Sequence, residues 1–520
     1  MHDFRPTGRG GHVLRPWALR PGAVPALALV ALWLGLVAWR PLVLGFYHDD
    51  WWSLARPVAL TPLADLLDSE RARALFALVV WSLRNLFGAS AAAWQALSAA
   101  GNLACALLIA ALVDRLGPPR PGGAARWAGA GAGALWLAAP WSLAYTGWPI
   151  MGLPLLTVAL LAASAALLLS PRCESPAAGA VAALPYLLGC LIYEAVWGAF
   201  LPVALIAGLT RLKAGAPLRP AFAYALAAGG GQIVLFLLNR LLSTGPQGKQ
   251  ISAAAGRLVL RSFETAPAQM AEAVGALSPL ALAAAAVLVA AFTAAALRRR
   301  DFARLGIVAA CLLGAGIAVV LHAAAGYATE WTGLMGRTAM VPAFWLTVAF
   351  GAMLQGALSD GRAPRLSAAL AGAALVTVLS GATLALTRDW ATGWRQELAT
   401  LSTFPAAEAE RLATGTFIVA DLPQQGAPRG QFEAFWDITG GLVTTYPALA
   451  GVLLQDGKSR VTVLRPRDWY TEWDGSKLSQ GWCPGLFIWS FETKAVVVWD
   501  QRAGTLTPIA PGTRLGCAAR

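Results

Sequence analysis

Seven residues directly after the first apolar run, Phe46-Tyr47-His48-Asp49-Asp50-Trp51-Trp52, hold the densest chemistry in the chain. Adjacent carboxylates repel, so one of them tends to keep its proton unless a cation or metal compensates. One carboxylate can then take the proton of an attacking hydroxyl as a general base. The pair can equally hold a divalent metal through oxygen ligands. Tyr and Trp also belong at a membrane–water boundary as interfacial anchors. An ordinary acidic loop with an aromatic belt is therefore the plain alternative.

Three further positions carry chemistry. Glu194 stands in Leu191-Ile192-Tyr193-Glu194-Ala195-Val196-Trp197, between two apolar runs. A lone acid in that setting is a candidate site residue; a turn seen by lipid headgroups is the alternative. Arg337 lies in Gly336-Arg337-Thr338-Ala339-Met340-Val341-Pro342, where an apolar run begins. Its planar fork matches phosphate geometry, and a helix N-terminus adds favourable potential for an anion. A snorkelling Arg at a helix end is the bland reading. Tyr327, in Tyr327-Ala328-Thr329-Glu330-Trp331, can stack with Trp331 on a sugar or lipid, although aromatics of the interfacial belt are the commoner case. His322 reads as a hydrogen-bonded packing residue.

These residues are set in an unusually apolar chain. Of 520 residues, 57% are hydrophobic and 13% charged, about half the usual charged share. The mean hydropathy is +0.59. Such a composition excludes disorder, a collagenous repeat and a small disulfide scaffold, and it argues against a soluble enzyme. The net charge of +13 does not imply nucleic acid, because the cations punctuate apolar runs instead of forming a patch. Cys105, Cys190 and Cys311 lie in apolar stretches and should be packed. Cys483 and Cys517 share the polar C-terminal part, where a disulfide is open if that part faces an oxidising compartment.

A spanning helix needs about 20 apolar residues. Eleven candidate spans follow, near 23–44, 92–113, 127–143, 150–169, 178–193, 195–210, 221–241, 277–297, 303–325, 338–358 and 366–386, with 178–210 readable as one kinked helix. Every second loop is basic, from Arg5, Arg9, Arg15 and Arg20 to Arg362 and Arg365, which predicts a cytoplasmic N-terminus at 1–22. The alternate loops hold most acids and should face outward. The expected fold is mostly α: a polytopic transmembrane helical bundle over 23–387, with a first outer loop at 45–91, and a C-terminal extracytoplasmic α/β domain over 388–520. Thr61–Asp68 and Arg71–Phe87 suit helices in the interface plane. Ser243–Gly275, with Lys249, Arg257 and Arg261 against Glu264 and Glu272, reads as a solvated outer loop. The tail should open with a helix, Asp389–Ser402, followed by strands near Thr416–Ala420, Arg460–Leu464, Leu486–Ser490 and Ala495–Trp499. Its tryptophans read mainly as the core of that domain.

An uncleaved first helix, an outer loop opening with Asp49-Asp50 and interfacial helices after it together resemble the GT-C superfamily of polytopic glycosyltransferases. The resemblance covers roughly residues 20–390. It implies inverting transfer of a sugar from a polyprenyl-phosphate donor to a glycan, lipid or protein acceptor on the outer face of the membrane. Asp49 or Asp50 would be the catalytic base or would position the acceptor, and some such families place a divalent cation (Mg or Mn) there while others need none. Glu194, followed by Leu201-Pro202, is similar to the acid that precedes a Leu-Pro helix in many relatives. Arg337 resembles the Arg of an Arg-Tyr-Leu-x-Pro element and would hold the donor phosphate, although Thr338 replaces the aromatic. Tyr47, His48 and Tyr327 would line the substrate. The Arg-rich, Lys-poor usage and the absence of organelle signals point to a bacterial inner membrane, with membrane lipids as partners and, from the charge pattern, no nucleic acid. An O-antigen-ligase- or polymerase-like transferase is the rival enzyme. A lipid-linked-sugar transporter or flippase is the rival of another class, and an anchor for the outer domain a third.

Overall fold

The computed structural model describes residues 23–47, 50–55, 62–69, 73–117, 127–242, 254–332, 334–422, 435–455, 458–464, 469–482 and 486–516. His48, Asp49, Lys249, Cys483, Cys517 and the arginines of 1–22 lie outside them.

Among the described residues, eight helical stretches are long and apolar enough to cross a membrane: Ala23–Leu42, Ala91–Asp114, Pro149–Leu168, Arg219–Leu238, Ala255–Arg299, Phe302–Ala324, Gly336–Leu358 and Arg362–Ser402. The chain is an integral membrane protein. Of the eleven expected spans, eight thus coincide with a stretch of spanning length among the described residues. The others, at 127–143, 178–193 and 195–210, fall on shorter elements: Trp127–Ala138, the pair Pro176–Ala182 and Leu184–Ile192, and Phe200–Ala214. A 12-residue helix is only about 18 Å long. The 178–210 stretch is not one kinked helix either. It turns between Tyr193 and Ala199, with Gly198 at φ 76°.

Trp127–Ala138 packs against Ala91–Asp114, Met340–Leu358 and Arg362–Ser402. Its alternating Ala and Gly let backbones meet. A Cβ on Gly133 would lie 2.7 Å from the Ala106 carbonyl oxygen, and one on Gly129 2.5 Å from that of Ala110. Small residues at such contacts drive packing where lipid gives no hydrophobic gain. Outer helices expose Phe222, Leu226, Ile233 and Leu237 instead, as a lipid-facing surface should.

One end of the bundle is basic and knitted by polar contacts. Lys213 pairs with Asp301, and Arg298 and Arg299 pair with Asp360. Arg211 donates to the carbonyls of Leu168 and Cys173, and Arg115 to that of Ala166. Cations at helix C-termini suit the exposed carbonyls. The acids Asp50, Glu194 and Glu330 gather at the other end. Cys105, Cys173, Cys190 and Cys311 are buried free thiols.

Two expected boundaries move. Residues 255–274 form an amphipathic helix, Ala255–Val274, not a loop. Its charges recur with helical period on one face, so the segment is polar in composition yet helical in pattern. The border expected at 387/388 falls inside Arg362–Ser402, a continuous helix of 41 residues, about 60 Å long. The helix expected at Asp389–Ser402 is its upper part.

Beyond it the chain builds an α/β domain. One sheet runs Val461–Leu464, Phe417–Asp421, Val496–Asp500, Thr505–Pro508, with the first three strands parallel. Phe417 to Ala420 are fully buried, as a central parallel strand requires. A second, antiparallel sheet runs Thr513–Gly516, Trp469–Trp473, Lys477–Trp482, Leu486–Glu492. Helix Phe435–Thr445 packs on Val461–Leu464 and on the turn Trp51–Ala55 of the first loop. Phe46, Trp51 and Leu54 therefore share one core with Ile418, Ile438 and Leu442. The domain is seated on the acidic loop.

Candidate functional site

Asp50 is fully buried. Its Oδ2 accepts from the Tyr47 amide at 2.9 Å and its Oδ1 from the Ile150 amide at 2.8 Å. Ile150 lies in the short turn Pro149–Met151, where Pro149 occupies the first position. That turn opens the helix Gly152–Leu168, whose first amides have no intrahelical acceptor. The Asp50 carboxylate thus caps a helix from another segment, at the positive end of its dipole. Trp148 closes the link by donating from Nε1 to the Tyr47 carbonyl at 2.9 Å.

The upper part of Arg362–Ser402 clamps this loop from the other side. The Tyr47 hydroxyl donates to the Trp390 carbonyl at 3.0 Å, and the Tyr47 and Trp390 rings meet edge-on at 4.8 Å. Trp51 stacks on Trp394 at 5.3 Å. Burial, then the Glu397 and Asp50 charges, push the Tyr47 phenol well above its ordinary pKa, so it stays a donor. A Cβ on Gly45 would sit 2.0 Å from the Trp394 ring; only glycine allows that approach. Trp390 and Trp394 are thus walls of the first loop, not the core of the terminal domain.

Glu397 was not singled out from sequence. It is 2% exposed, and its Oε2 accepts from Trp51 Nε1 at 2.7 Å. Placed beyond the apolar part of its helix, it reads as surface in the one-dimensional pattern. Trp51→Phe removes a charge-assisted bond from a buried carboxylate, so unfolding free energy should fall by about 2 kcal/mol. A denaturation midpoint equal to wild type would contradict that assignment.

A second cluster forms around Tyr193 and Glu194. Arg73 meets Glu194 with a two-pronged bond, Nε to Oε2 at 2.7 Å and Nη2 to Oε1 at 2.5 Å. The same guanidinium lies 4.7 Å from the Tyr193 ring centre. Burial raises the Tyr193 phenol pKa, and after it the charges of Arg73, Glu194 and Arg337 and the Tyr327 phenol act on it. Arg337 itself lies 5.0 Å over the Trp148 ring, a cation–π contact. Trp148 therefore joins Arg337 to the Asp50 turn, and Tyr193 joins it to Glu194 and Tyr327. Of the sequence candidates, Tyr47, Asp50, Glu194, Tyr327 and Arg337 come together at one end of the bundle. Arg73 is a second residue that sequence reading missed, its partner being 121 positions away. Double substitution of Arg73 and Glu194 by Gln should show coupling of about 1 kcal/mol in a stability cycle; additive losses would mean an idle pair.

The segment carrying Arg337 is pinned on both sides. Thr338 Oγ1 accepts from the Glu330 amide at 2.9 Å and donates to the Ala328 carbonyl at 3.3 Å. Ser262 and Gln269, on the amphipathic helix Ala255–Val274, accept from the amides of Thr329 and Trp331. The Thr that replaces an expected aromatic thus fastens the loop beneath Arg337. His322 bonds within its helix to the Ala318 carbonyl at 2.8 Å, as a packing residue does.

Among the described residues no three His, Cys, Asp or Glu side chains gather as metal ligands. At the first loop the described Asp50 already accepts an N–H bond on each oxygen, and Asp49, its expected partner in holding a cation, lies outside the described residues.

No protein-family model and no curated protein matches the chain. Among solved structures, it is similar to the crystal structure of ArnT from Cupriavidus metallidurans bound to undecaprenyl phosphate, at 12% sequence identity and a TM-score of 0.40, over 82% of this chain and 88% of that one.

Proposed function

We propose that this protein is a membrane glycosyltransferase that moves a sugar from a polyprenyl-phosphate donor to a glycan, lipid or protein acceptor. In this reading the acidic end of the bundle faces outward. The chain crosses the membrane eleven times, the three shorter helical stretches completing the count, with the N-terminus in the cytoplasm and the terminal domain outside a bacterial inner membrane. The supporting observation is the convergence, through Trp148, of the Asp50 turn and Arg337 at the end opposite the basic loops.

The chemistry follows from those positions. The acceptor oxygen attacks the anomeric carbon as the bond from that carbon to the phosphate oxygen breaks, with inversion. The acceptor proton passes to a carboxylate of the first loop. Asp50 spends both oxygens on backbone amides, so it positions the loop and Asp49 is the base. The leaving lipid phosphate is already anionic and needs charge stabilisation more than a proton; Arg337, half-buried on Trp148, supplies it. Glu194, held by Arg73, is a substrate contact, and Tyr327, Tyr47 and His48 are further ones.

Polyprenyl phosphate added to the protein in lipid nanodiscs should raise its melting temperature, since a ligand at 100 times its Kd stabilises by about 2.7 kcal/mol. The uncharged polyprenol should not. Equal shifts from both would overturn phosphate recognition, and with it the proposed donor.

A further inference from the structure

Helix Ala91–Asp114 turns a polar face into the bundle. Gln95, Ser98 and Asn102, spaced i, i+3 and i+7, are fully buried in a stretch that otherwise reads as an apolar span. Arg40, Trp136 and Tyr145, equally buried, belong to the same region. Arg40 Nη1 donates to Thr146 Oγ1 at 2.8 Å, next in sequence to Tyr145. The Trp136 and Tyr145 rings lie 5.5 Å apart. Gln95 Nε2 donates to the carbonyls of Gly45 and Gly147 at 2.8 and 2.7 Å.

Seven polar atoms of these six side chains have no hydrogen-bond partner among the described residues: Arg40 Nη2, Gln95 Oε1, Ser98 Oγ, both amide atoms of Asn102, Trp136 Nε1 and Tyr145 OH. Orphaned polar groups at membrane depth are expensive, and a marginally stable fold does not carry seven in one packed region. Turning the two amides does not rescue them. Gln95 is held by its two carbonyls, and flipping the Asn102 amide exchanges two orphans for two orphans.

We propose that these side chains enclose a buried water cluster inside the bundle, beneath the Asp50 turn. Donors and acceptors are both present, as water requires. At about three bonds per molecule the seven atoms call for two or three waters. The cluster has a structural task. Gln95 ties Gly45 to Gly147, and the amides that hold Asp50 belong to Tyr47 and Ile150, two and three residues further on. Hydrated Gln95 and its neighbours keep the two halves of the Asp50 cradle in register.

The test uses the full chain in nanodiscs, with its native cysteines replaced by Ala. Single cysteines are placed at Asn102 and at Ile109, a fully buried apolar position two turns further along the helix. Thiols react as thiolates, which need water, so 2-hydroxyethyl methanethiosulfonate should label position 102 at least about tenfold faster than position 109. Equally slow labelling at both would overturn the cluster. A second variant reads the same question through stability. Asn102→Leu should lower the melting temperature if it strands hydrated neighbours; a dry site would gain, because two orphans disappear. Melting should not change when chloride is replaced by gluconate. Stabilisation by chloride would instead make this an anion site at Arg40 and overturn the water assignment.

Discussion

Asp49→Asn should leave the melting temperature unchanged and cut sugar transfer by about 10²- to 10⁴-fold, the usual worth of a general base. Asp50→Asn should behave differently, losing stability as well as activity. Its carboxylate accepts one backbone amide on each oxygen. An Asn there keeps one acceptor and turns an NH2 group towards a backbone N–H, inside a fully buried site. About 3 kcal/mol of unfolding free energy should go. The helix that begins at Gly152 also loses a negative charge at its positive end. Thermal melts and initial transfer rates on the same preparations separate the two variants. Full transfer by Asp49→Asn, with Asp50→Asn stable but inactive, would exchange the roles.

Arg337→Gln should lower kcat/KM for the donor by about 10²-fold, since a charge-assisted contact to a phosphate that leaves is worth about 3 kcal/mol in the transition state. Arg337→Lys should recover only part of it, because an ammonium neither forks around a phosphate nor lies flat on Trp148. Trp148→Leu should mimic a share of the Arg337 loss through the lost 5.0 Å stack and should also loosen the Asp50 turn, whose Tyr47 carbonyl it holds. Kinetics over a range of donor concentrations measures both. Arg337→Gln with wild-type kinetics and lowered stability would return that residue to a merely structural place.

Much of this was legible in the chain because lipid imposes length and polarity directly. The long spans at 92–113, 150–169, 303–325 and 338–358 lie within a few residues of helices, and the strands near 417, 461, 486 and 496 lie where short β-branched runs place them. Residues 127–138 fail the length rule because their Ala and Gly serve close helix contacts, not thickness. The amphipathic helix at 255–274 was hidden because its charges make it as polar as a loop. The site was half readable. Asp50, Glu194 and Arg337 stand out as ions flanked by apolar runs. Glu397 and Arg73 do not, since each acquires meaning only from a partner more than 100 positions away. Nor could sequence tell that Asp50 holds two amides, which is a fact of where the turn before Gly152 is delivered.

The most direct measurement follows a polyprenyl-phosphate sugar, labelled in the sugar, through purified protein in nanodiscs with a panel of glycan, lipid and peptide acceptors, with and without chelator. The account predicts label on an acceptor with inverted anomeric configuration, one free polyprenyl phosphate per transfer, and loss of both products in Asp49→Asn. No label leaving any donor in the panel, or undiminished turnover by that variant, would contradict it.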